Sequence, residues 1–365
     1  MRKTKHPLQR SINQTHGFTL VEVMIALVIS STLIGGVFSL YLNTKQTQNY
    51  TQSSSRIQES GRFSLEYLSR DIRMIGYRGC ISYDDPIVNV IAKDMPAGFM
   101  ANQNELVGFE IDSGWASGSI YENSTAITSK IKTGTDAFAI GRMASLSNKL
   151  SGNLTSVNAQ VHIEATPAPN IKQNDLIFLS DCSDADIFRV TNNPNASGST
   201  INLAHGNGSN TSNNLSKLFQ DDSSIAKYQS TFYFVGDTGR DNALGHNVYA
   251  LYQATNLFDS ATPTHQVEEL IEGVENMQLL YGEVLANGNT RYLTADNVTD
   301  MNQVQSIQLG LLITSQNQVR TTNDSKTYEL PGESIGISTT VKHDKDKRLR
   351  HVFTTTVKIR NRALN

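Results

Sequence analysis

The sequence predicts an α+β protein in which a long N-terminal helix, with a membrane-spanning first half, packs on an antiparallel, β-rich globular head. Three observations support this class. An apolar stretch follows a basic N-terminal segment, and apolar residues at helical spacing follow that stretch. Short alternating segments bounded by turn residues fill the rest of the chain.

Composition limits the classes of function. The chain has 365 residues, of which 18% are charged and 38% hydrophobic, and its net charge is −3. These values exclude a highly charged disordered tail and a protein with many membrane spans. They offer no electrostatic case for a nucleic-acid binder. Two cysteines are too few for a disulfide scaffold or a four-thiolate metal site.

The N-terminal region divides into a basic leader, residues 1–17, and an apolar segment, residues 18–42. The leader has four cations and no acid: Arg2, Lys3, Lys5 and Arg10. The apolar segment has a single charge, Glu22, and as a helix would be roughly 37 Å long, enough to cross a bilayer. The positive flank predicts that the leader stays in the cytoplasm and that the chain beyond the segment is periplasmic. The segment lacks the small-residue cleavage site of a secretory signal, so a signal anchor is the simplest interpretation.

The helix is predicted to continue as an amphipathic stem over residues 43–78. Its apolar residues recur at helical spacing: Ile57, Leu65, Leu68, Ile72 and Ile75. The pairs Glu59–Arg62 and Glu66–Arg70 suit an exposed opposite face. We therefore expect the stem to pack on a head domain formed by residues 79–365.

Beyond Gly79 the pattern predicts short strands bounded by turn residues. The clearest segments are residues 106–111, 137–140, 161–163, 176–179, 306–314 and 353–359. Residues 228–235 and 248–252 are expected to pair as a hairpin, with its turn at residues 236–239. Residues 266–281 fit a helix or a strand pair, and we favour the strand pair because Gly273 weakens a helix.

Cys80 and Cys182 lie in the part of the chain that is predicted to be exported, where disulfides form. We expect them to bond and so to tie the stem to the sheet. Closing such a long loop contributes up to about 4–5 kcal/mol in the chain-entropy description. Two buried free thiols are the alternative.

No residue is expected to be catalytic. The chain lacks a P-loop, a G-x-S-x-G string and an H-E-x-x-H string, and no nucleophile lies at a recognisable spacing from a base. We therefore predict no enzymatic activity, no cofactor and no metal site. His162, inside an expected strand, fits a structural histidine better than a ligand.

Two polar segments of the head suit surface loops. Asp181, Asp184 and Asp186 are expected in a solvated turn, with calcium binding as the alternative. Residues 192–214 hold 8 Asn, 4 Ser and 3 Gly, which predicts a flexible surface loop.

One basic run precedes the final expected strand, and it contains Lys342, Lys345, Lys347, Arg348 and Arg350. Two acids interrupt this run and no aromatic residue interleaves with it. We interpret it as a charged hairpin loop, with contact to phosphate or nucleic acid as the alternative.

Glu22 is the most informative residue of the apolar segment. A carboxylate inside a membrane helix costs at least about 2–3 kcal/mol and indicates a functional residue, with a position near enough the membrane interface to be tolerated as the alternative. The surrounding string Gly17-Phe18-Thr19-Leu20-Val21-Glu22 follows a basic leader and precedes a long apolar run. In this arrangement it resembles the class III signal of type IV prepilins.

The resemblance implies a role for each matching residue. Gly17 would precede the bond that the prepilin peptidase cuts, and Phe18 would become the N-methylated first residue. Glu22 would pair with the N-terminal amine of a neighbouring subunit, since opposite charges satisfy each other in a low-dielectric helix bundle. Ser39 departs from the family, because many major pilins have a helix-breaking proline at that position.

Two further segments resemble the PilW group of minor pilins, which is similar to the J-type pseudopilins of type II secretion. They are residues 271–278 with Tyr281 and Gly282, and residues 350–362. The resemblance implies a structural protein that joins other minor pilins in a tip complex and initiates pilus assembly. Its partners would be the prepilin peptidase, other minor pilins, the major pilin and the inner membrane.

Three alternatives to this role remain. The chain could be a pseudopilin of a secretion machine, or a pilus-tip adhesin that binds surfaces or DNA. A signal-anchored periplasmic enzyme is the third, and it predicts that Glu22→Ala leaves function intact. In the pilin interpretation, a single-pass inner-membrane protein with a periplasmic C-terminal domain is incorporated into the pilus tip at the cell surface.

Overall fold

The computed structural model describes residues 17–80, 88–93, 105–111, 121, 124–243, 245–257, 264–332, 338–341 and 343–362. The basic leader up to residue 16 therefore lies outside the described residues. The chain divides into two compact units, Met1–Gln52 and Ser53–Asn365. The expected α+β class is confirmed, because one long helix precedes a head of mostly antiparallel strands.

Helix α1 (Leu20–Arg73) contributes residues to both units. In the first unit every described residue is exposed, including the whole apolar stretch. The mean hydropathy of this stretch reaches 2.2 over 18 residues, so the helix is long and apolar enough to cross a membrane. In the second unit the helix has a buried face.

The described part of the head contains one short helix, α2 (Thr125–Thr128), two 3₁₀ turns (Ala295–Asn297 and Met301–Gln303) and seventeen strands. In chain order the strands are β1 (Val88–Val90), β2 (Leu106–Ile111), β3 (Thr135–Lys149), β4 (Val161–Glu164), β5 (Leu176–Ser180), β6 (Ala185–Arg189), β7 (Ala196–Ser197), β8 (Thr200–Leu203), β9 (Ser224–Asp241), β10 (Asn247–Leu257), β11 (Thr264–Glu272), β12 (Val274–Val284), β13 (Thr290–Leu293), β14 (Val304–Gln318), β15 (Tyr328–Pro331), β16 (Ser338–Val341) and β17 (Arg348–Lys358).

Two larger sheets organise the head. The first has eight strands in the order β1-β6-β5-β9-β10-β11, which β3 joins through β9 and β2 joins through β3. Its β1–β6 pairing is parallel, and the other described pairings are antiparallel. The second sheet is antiparallel in the order β13-β12-β14-β17. Two small sheets, β15–β16 and β4-β8-β7, complete the head.

The apolar stripe of the stem packs on both larger sheets. Its buried members are Ile57, Leu68, Ile72 and Ile75, which share one core cluster with residues of β9, β12, β14 and β17. Burial of each such aliphatic side chain contributes about 1.5–3 kcal/mol. The contact is close at Gly61, where an added Cβ would lie 2.5 Å from the Phe353 ring. Only glycine lets β17 approach the helix at this point.

Residues 266–281 form two strands, as predicted, but the strands lie in different sheets. β11 pairs with β10, whereas β12 pairs with β13 and β14. The chain crosses between the sheets at Gly273, whose φ is 91°. A side chain there would be strained, and its Cβ would lie 2.9 Å from the Thr314 carbonyl oxygen.

The expected hairpin is present, but its turn was placed wrongly. β9 and β10 pair in antiparallel fashion, β9 ends at Asp241 and β10 begins at Asn247. Residues 236–239 belong to β9, where the register shifts opposite Asn247 and Tyr249. Gly239 has a φ of 71°. A bulge and a turn both use positive φ, so the Gly-Asp-Thr-Gly string does not distinguish them.

Candidate processing and assembly site

The prepilin-like string lies at the start of α1, where Thr19 and Glu22 cap the helix reciprocally. The Thr19 N–H donates to Glu22 Oε2 at 2.9 Å, and the Thr19 hydroxyl donates to the same oxygen at 3.0 Å. In return, the Glu22 N–H donates to Thr19 Oγ1 at 3.3 Å. This is a capping box, which satisfies donors that the first helical turn leaves free.

The residues before the cap are accessible. Phe18 is 87% exposed, and a Cβ added at Gly17 would have no atom within 4 Å. Packing within this chain therefore does not require glycine at position 17. The sequence interpretation of Gly17 and Phe18 as a processing site is sterically compatible with this exposed segment, and it stays a prediction.

The head holds the disulfide that the sequence led us to expect. Cys80 and Cys182 are bonded, with a Cα–Cα distance of 5.1 Å. Cys80 follows the stem helix, and Cys182 lies between β5 and β6 of the eight-stranded sheet. The bond therefore joins the segment after the stem to that sheet.

The acidic cluster is only in part the solvated turn that we expected, because Asp181 and Asp184 lie partly exposed between β5 and β6, whereas Asp186 lies within β6. Lys217 contacts both Asp181 and Asp184, and its Nζ lies 2.8 Å from Asp184 Oδ2. Asp186 is fully buried and accepts hydrogen bonds from Asn89 and from the Ser216 backbone and hydroxyl. Burial raises the pKa of Asp186. The Lys217 ammonium thus lies where a metal cation would bind Asp181 and Asp184.

The prediction for the basic run was also wrong in part. Lys342 lies outside the described residues, and Lys345 and Lys347 are exposed. Arg348 and Arg350 are instead buried, at 2% and 3% exposure. Neither guanidinium is available for phosphate, because both bind carboxylates of the head.

A buried ionic network surrounds these two arginines. Arg350 donates to Glu275 at 2.6 Å and to Asp346 at 2.8 Å, and it lies 3.5 Å from Asp324. Arg348 contacts Asp346 as well. Burial would raise the pKa of Asp346, but hydrogen bonds from Arg350 and Arg348 outweigh it and hold that pKa at about 2. The sequence showed the charges but not their three-dimensional pairing.

The Asn-rich segment is not a surface loop throughout. Residues 192–214 include β7 and β8, and Asn210 is fully buried. The Asn210 amide donates to the Arg189 carbonyl, while its oxygen accepts from the Arg189 N–H at 2.8 Å. His162 is exposed, and its Nδ1 lies 2.6 Å from Asn202 Oδ1, which fits a structural histidine.

A polar contact between stem and sheet was missed by sequence reasoning. Asp71, on the buried face of α1, accepts a hydrogen bond from the Tyr233 hydroxyl. Arg142 lies 3.6 Å from the same carboxylate. These residues are far apart in the chain, so no local pattern could have found them.

One group of side chains has the composition of a metal site. Among the described residues, His246, Asp344 and Asp346 bring potential ligand atoms within 4.8 Å of one another. Both carboxylates already bind Arg348. A cation would have to displace that buried guanidinium, so the arrangement fits an ion-pair network better than a metal centre.

Comparison with known proteins gives two matches, one at each end of the chain. Residues 12–38 match the prokaryotic N-terminal methylation motif. Residues 232–361, which run from within β9 through β17, match the family described as type IV pilus-assembly protein W. No curated protein matches the chain. The chain thus combines an exposed apolar N-terminal helix that bears a methylation motif with a C-terminal part of the head that matches the PilW family, and the two matches together support a PilW-type type IV pilus protein.

Proposed function

We propose that this chain is a minor pilin that joins other minor pilins in a tip complex and primes type IV pilus assembly. The observation that carries the proposal is the presence, on one chain, of an accessible prepilin motif on an exposed apolar helix and a PilW-type head. An apolar face of this size must be covered by lipid or by other apolar helices. Lipid would cover this face while the subunit is in the membrane, and apolar helices of other subunits would cover it in the pilus.

The proposed sequence of events begins at the inner membrane. The prepilin peptidase cuts after Gly17, and Phe18 becomes the methylated N-terminus. Glu22 then pairs with the N-terminal amine of a neighbouring subunit. Until that partner arrives, Thr19 supplies two donors to the carboxylate, at 2.9 and 3.0 Å, which reduces the cost of keeping it in an apolar segment. The head remains periplasmic until the subunit enters the pilus tip.

Intact mass and N-terminal sequencing of the protein from membranes test the processing step. The expected result is a chain that begins with a methylated Phe18. A mature protein that still contains residues 1–17 contradicts the proposal.

A pair of substitutions tests the assembly role. Glu22→Ala is expected to abolish surface pili, as counted by electron microscopy, while the protein level in membranes is kept. Ser31→Ala is the matched control, because it also removes a polar group from the apolar helix, one that donates only to the Val28 carbonyl of its own turn. Normal piliation with Glu22→Ala supports a signal-anchored enzyme instead.

A further inference from the structure

The exposed face of the stem carries a row of charges, which we name the charge ladder. Its members are Arg56, Glu59, Arg62, Glu66 and Arg70. The sign alternates at each step, and each step is three or four residues. Residues at this spacing are neighbours on a helix surface, so the row follows one side of α1.

The charge ladder lies opposite the face that packs on the head. At about 100° per residue, its members fall within a sector of roughly 120°. Ile57, Leu68 and Ile72 fall on the other side and are buried, at 2%, 0% and 0% exposure. All five ladder residues are exposed, and Arg56 and Glu59 also border a groove against the head.

These charges are free. Within the residue ranges that the structure describes, none of the five forms an ion pair, although their spacing permits pairs along the helix. Other exposed cations of the head do find partners: Arg240, for example, binds Glu269 and Glu272. The side chains of the ladder thus remain available to a partner.

An apolar anchor lies within the ladder. Phe63 is 56% exposed, and its ring centroid is 6.2 Å from that of Tyr67. Beside it lies a groove of about 360 Å³ between α1 and the ends of β11 and β14. Leu270, Gln316 and Asn317 form part of its far wall. An exposed aromatic residue among charges, next to a groove, is typical of an interaction surface.

We propose that the charge ladder and Phe63 dock the stem helix of a neighbouring pilin subunit, and that the alternating charges select its register. This inference rests on the proposed function. Helix α1 begins with the prepilin motif, so the ladder continues the element through which pilins associate. A helix is the matching partner because only a helix presents side chains at the same spacing of three to four residues.

The alternation explains how one register would be favoured. Two parallel helices that carry such ladders bring Arg opposite Glu when they are displaced by one step, which is about 5 Å along the axis. A displacement of two steps brings like charges together, which disfavours it. Alternating signs also argue against nucleic acid or an anionic membrane as the occupant, because both need a surface of one sign.

Photo-cross-linking in cells that make the full chain and its pili tests the contact. A benzoylphenylalanine at position 63 keeps an aromatic side chain there. The expected product joins it to another pilin, at a peptide that follows that pilin's apolar segment. The same probe at Glu164, which is exposed on β4, is the control and should not give this product. Products with lipid or with a protein that is not a pilin overturn the inference, as does the absence of any product specific to position 63.

Charge reversal tests the ladder itself. Glu59→Arg with Glu66→Arg makes all five charges positive and should reduce the cross-link at least about fivefold. The matched control is Glu164→Arg with Glu329→Arg, which changes net charge equally at exposed strand positions. Equal effects of the two pairs overturn the inference. Exposed substitutions rarely impair folding, and formation of the Cys80–Cys182 bond reports it.

Deletion of the gene separates this inference from the function on which it rests. Loss of pili on deletion, together with normal pili and an unchanged cross-link in the Glu59→Arg, Glu66→Arg variant, overturns the docking surface alone. Normal pili after deletion overturn the priming role itself.

Discussion

Replacement of Arg350 by methionine is expected to destabilise the head severely. Arg350 donates to Glu275 at 2.6 and 3.2 Å and to Asp346 at 2.8 Å. Without it, the nearest ion-pair partner of Glu275 among the described residues is Arg348, at 3.8 Å, and Glu275 is only 1% exposed. Removal of one partner from a buried ion pair costs about 3–5 kcal/mol, because the remaining buried charge loses its hydrogen bonds and water does not replace them. That loss is a large fraction of the stability of a typical domain, about 5–15 kcal/mol.

Urea denaturation of the full chain in detergent, followed by circular dichroism, measures the loss. Lys347→Met is the matched control, since Lys347 belongs to the same basic run but is exposed. Its effect should stay within about 0.5 kcal/mol. Equal stabilities of the two variants would refute the assignment of Arg350 to a buried network. They would indicate that the basic run faces solvent instead. Binding of DNA by the two variants would then be the relevant measurement.

Three further substitution and pH experiments test the packing of the stem, the disulfide and the ionic network. Gly61→Ala should destabilise the protein by about 1–3 kcal/mol, because its Cβ would lie 2.5 Å from the Phe353 ring. Gly36→Ala is the control and should not destabilise it, because a Cβ there would have no atom within 4 Å. Chemical denaturation compares the two variants. Cys80→Ser should cost up to about 4–5 kcal/mol in the same assay, and a loss below about 1 kcal/mol would contradict a structural role for the disulfide. The pKa of Asp346 is lowered from 3.8 to about 2, so its contribution to stability should be present above about pH 4 and lost as the pH falls towards 2; a stability profile without a decline in that window would argue against the network.

The features that the sequence predicted well are local ones. The apolar segment, the stripe through Leu68 and Ile72 and the alternating strands all follow from periodicity, which a single element expresses by itself. The prepilin string is equally local, since Gly17, Phe18 and Glu22 stand at fixed spacing. Its match to the methylation motif needs no tertiary contact.

The predictions that failed concern charges and turns. Arg350 looked like part of a solvated run, because its partner Glu275 is 75 residues away in the chain. The string at residues 236–239 looked like a hairpin turn, because a bulge uses the same residues. In both places the local composition is compatible with two structures, and pairing with a distant strand selects between them.

The amino-acid sequence by itself determined that this chain has an apolar helix with a prepilin motif, an amphipathic stem and a strand-rich head. Periodicity and spacing suffice for these features, because each arises within one segment. Tertiary structure alone decided which sheet receives each strand, that the chain crosses between sheets at Gly273, and which charges are buried. It also decided that the residues of the charge ladder are exposed to solvent. These features depend on groups that are distant in the chain and meet only when hydrophobic burial brings the sheets and the helix together.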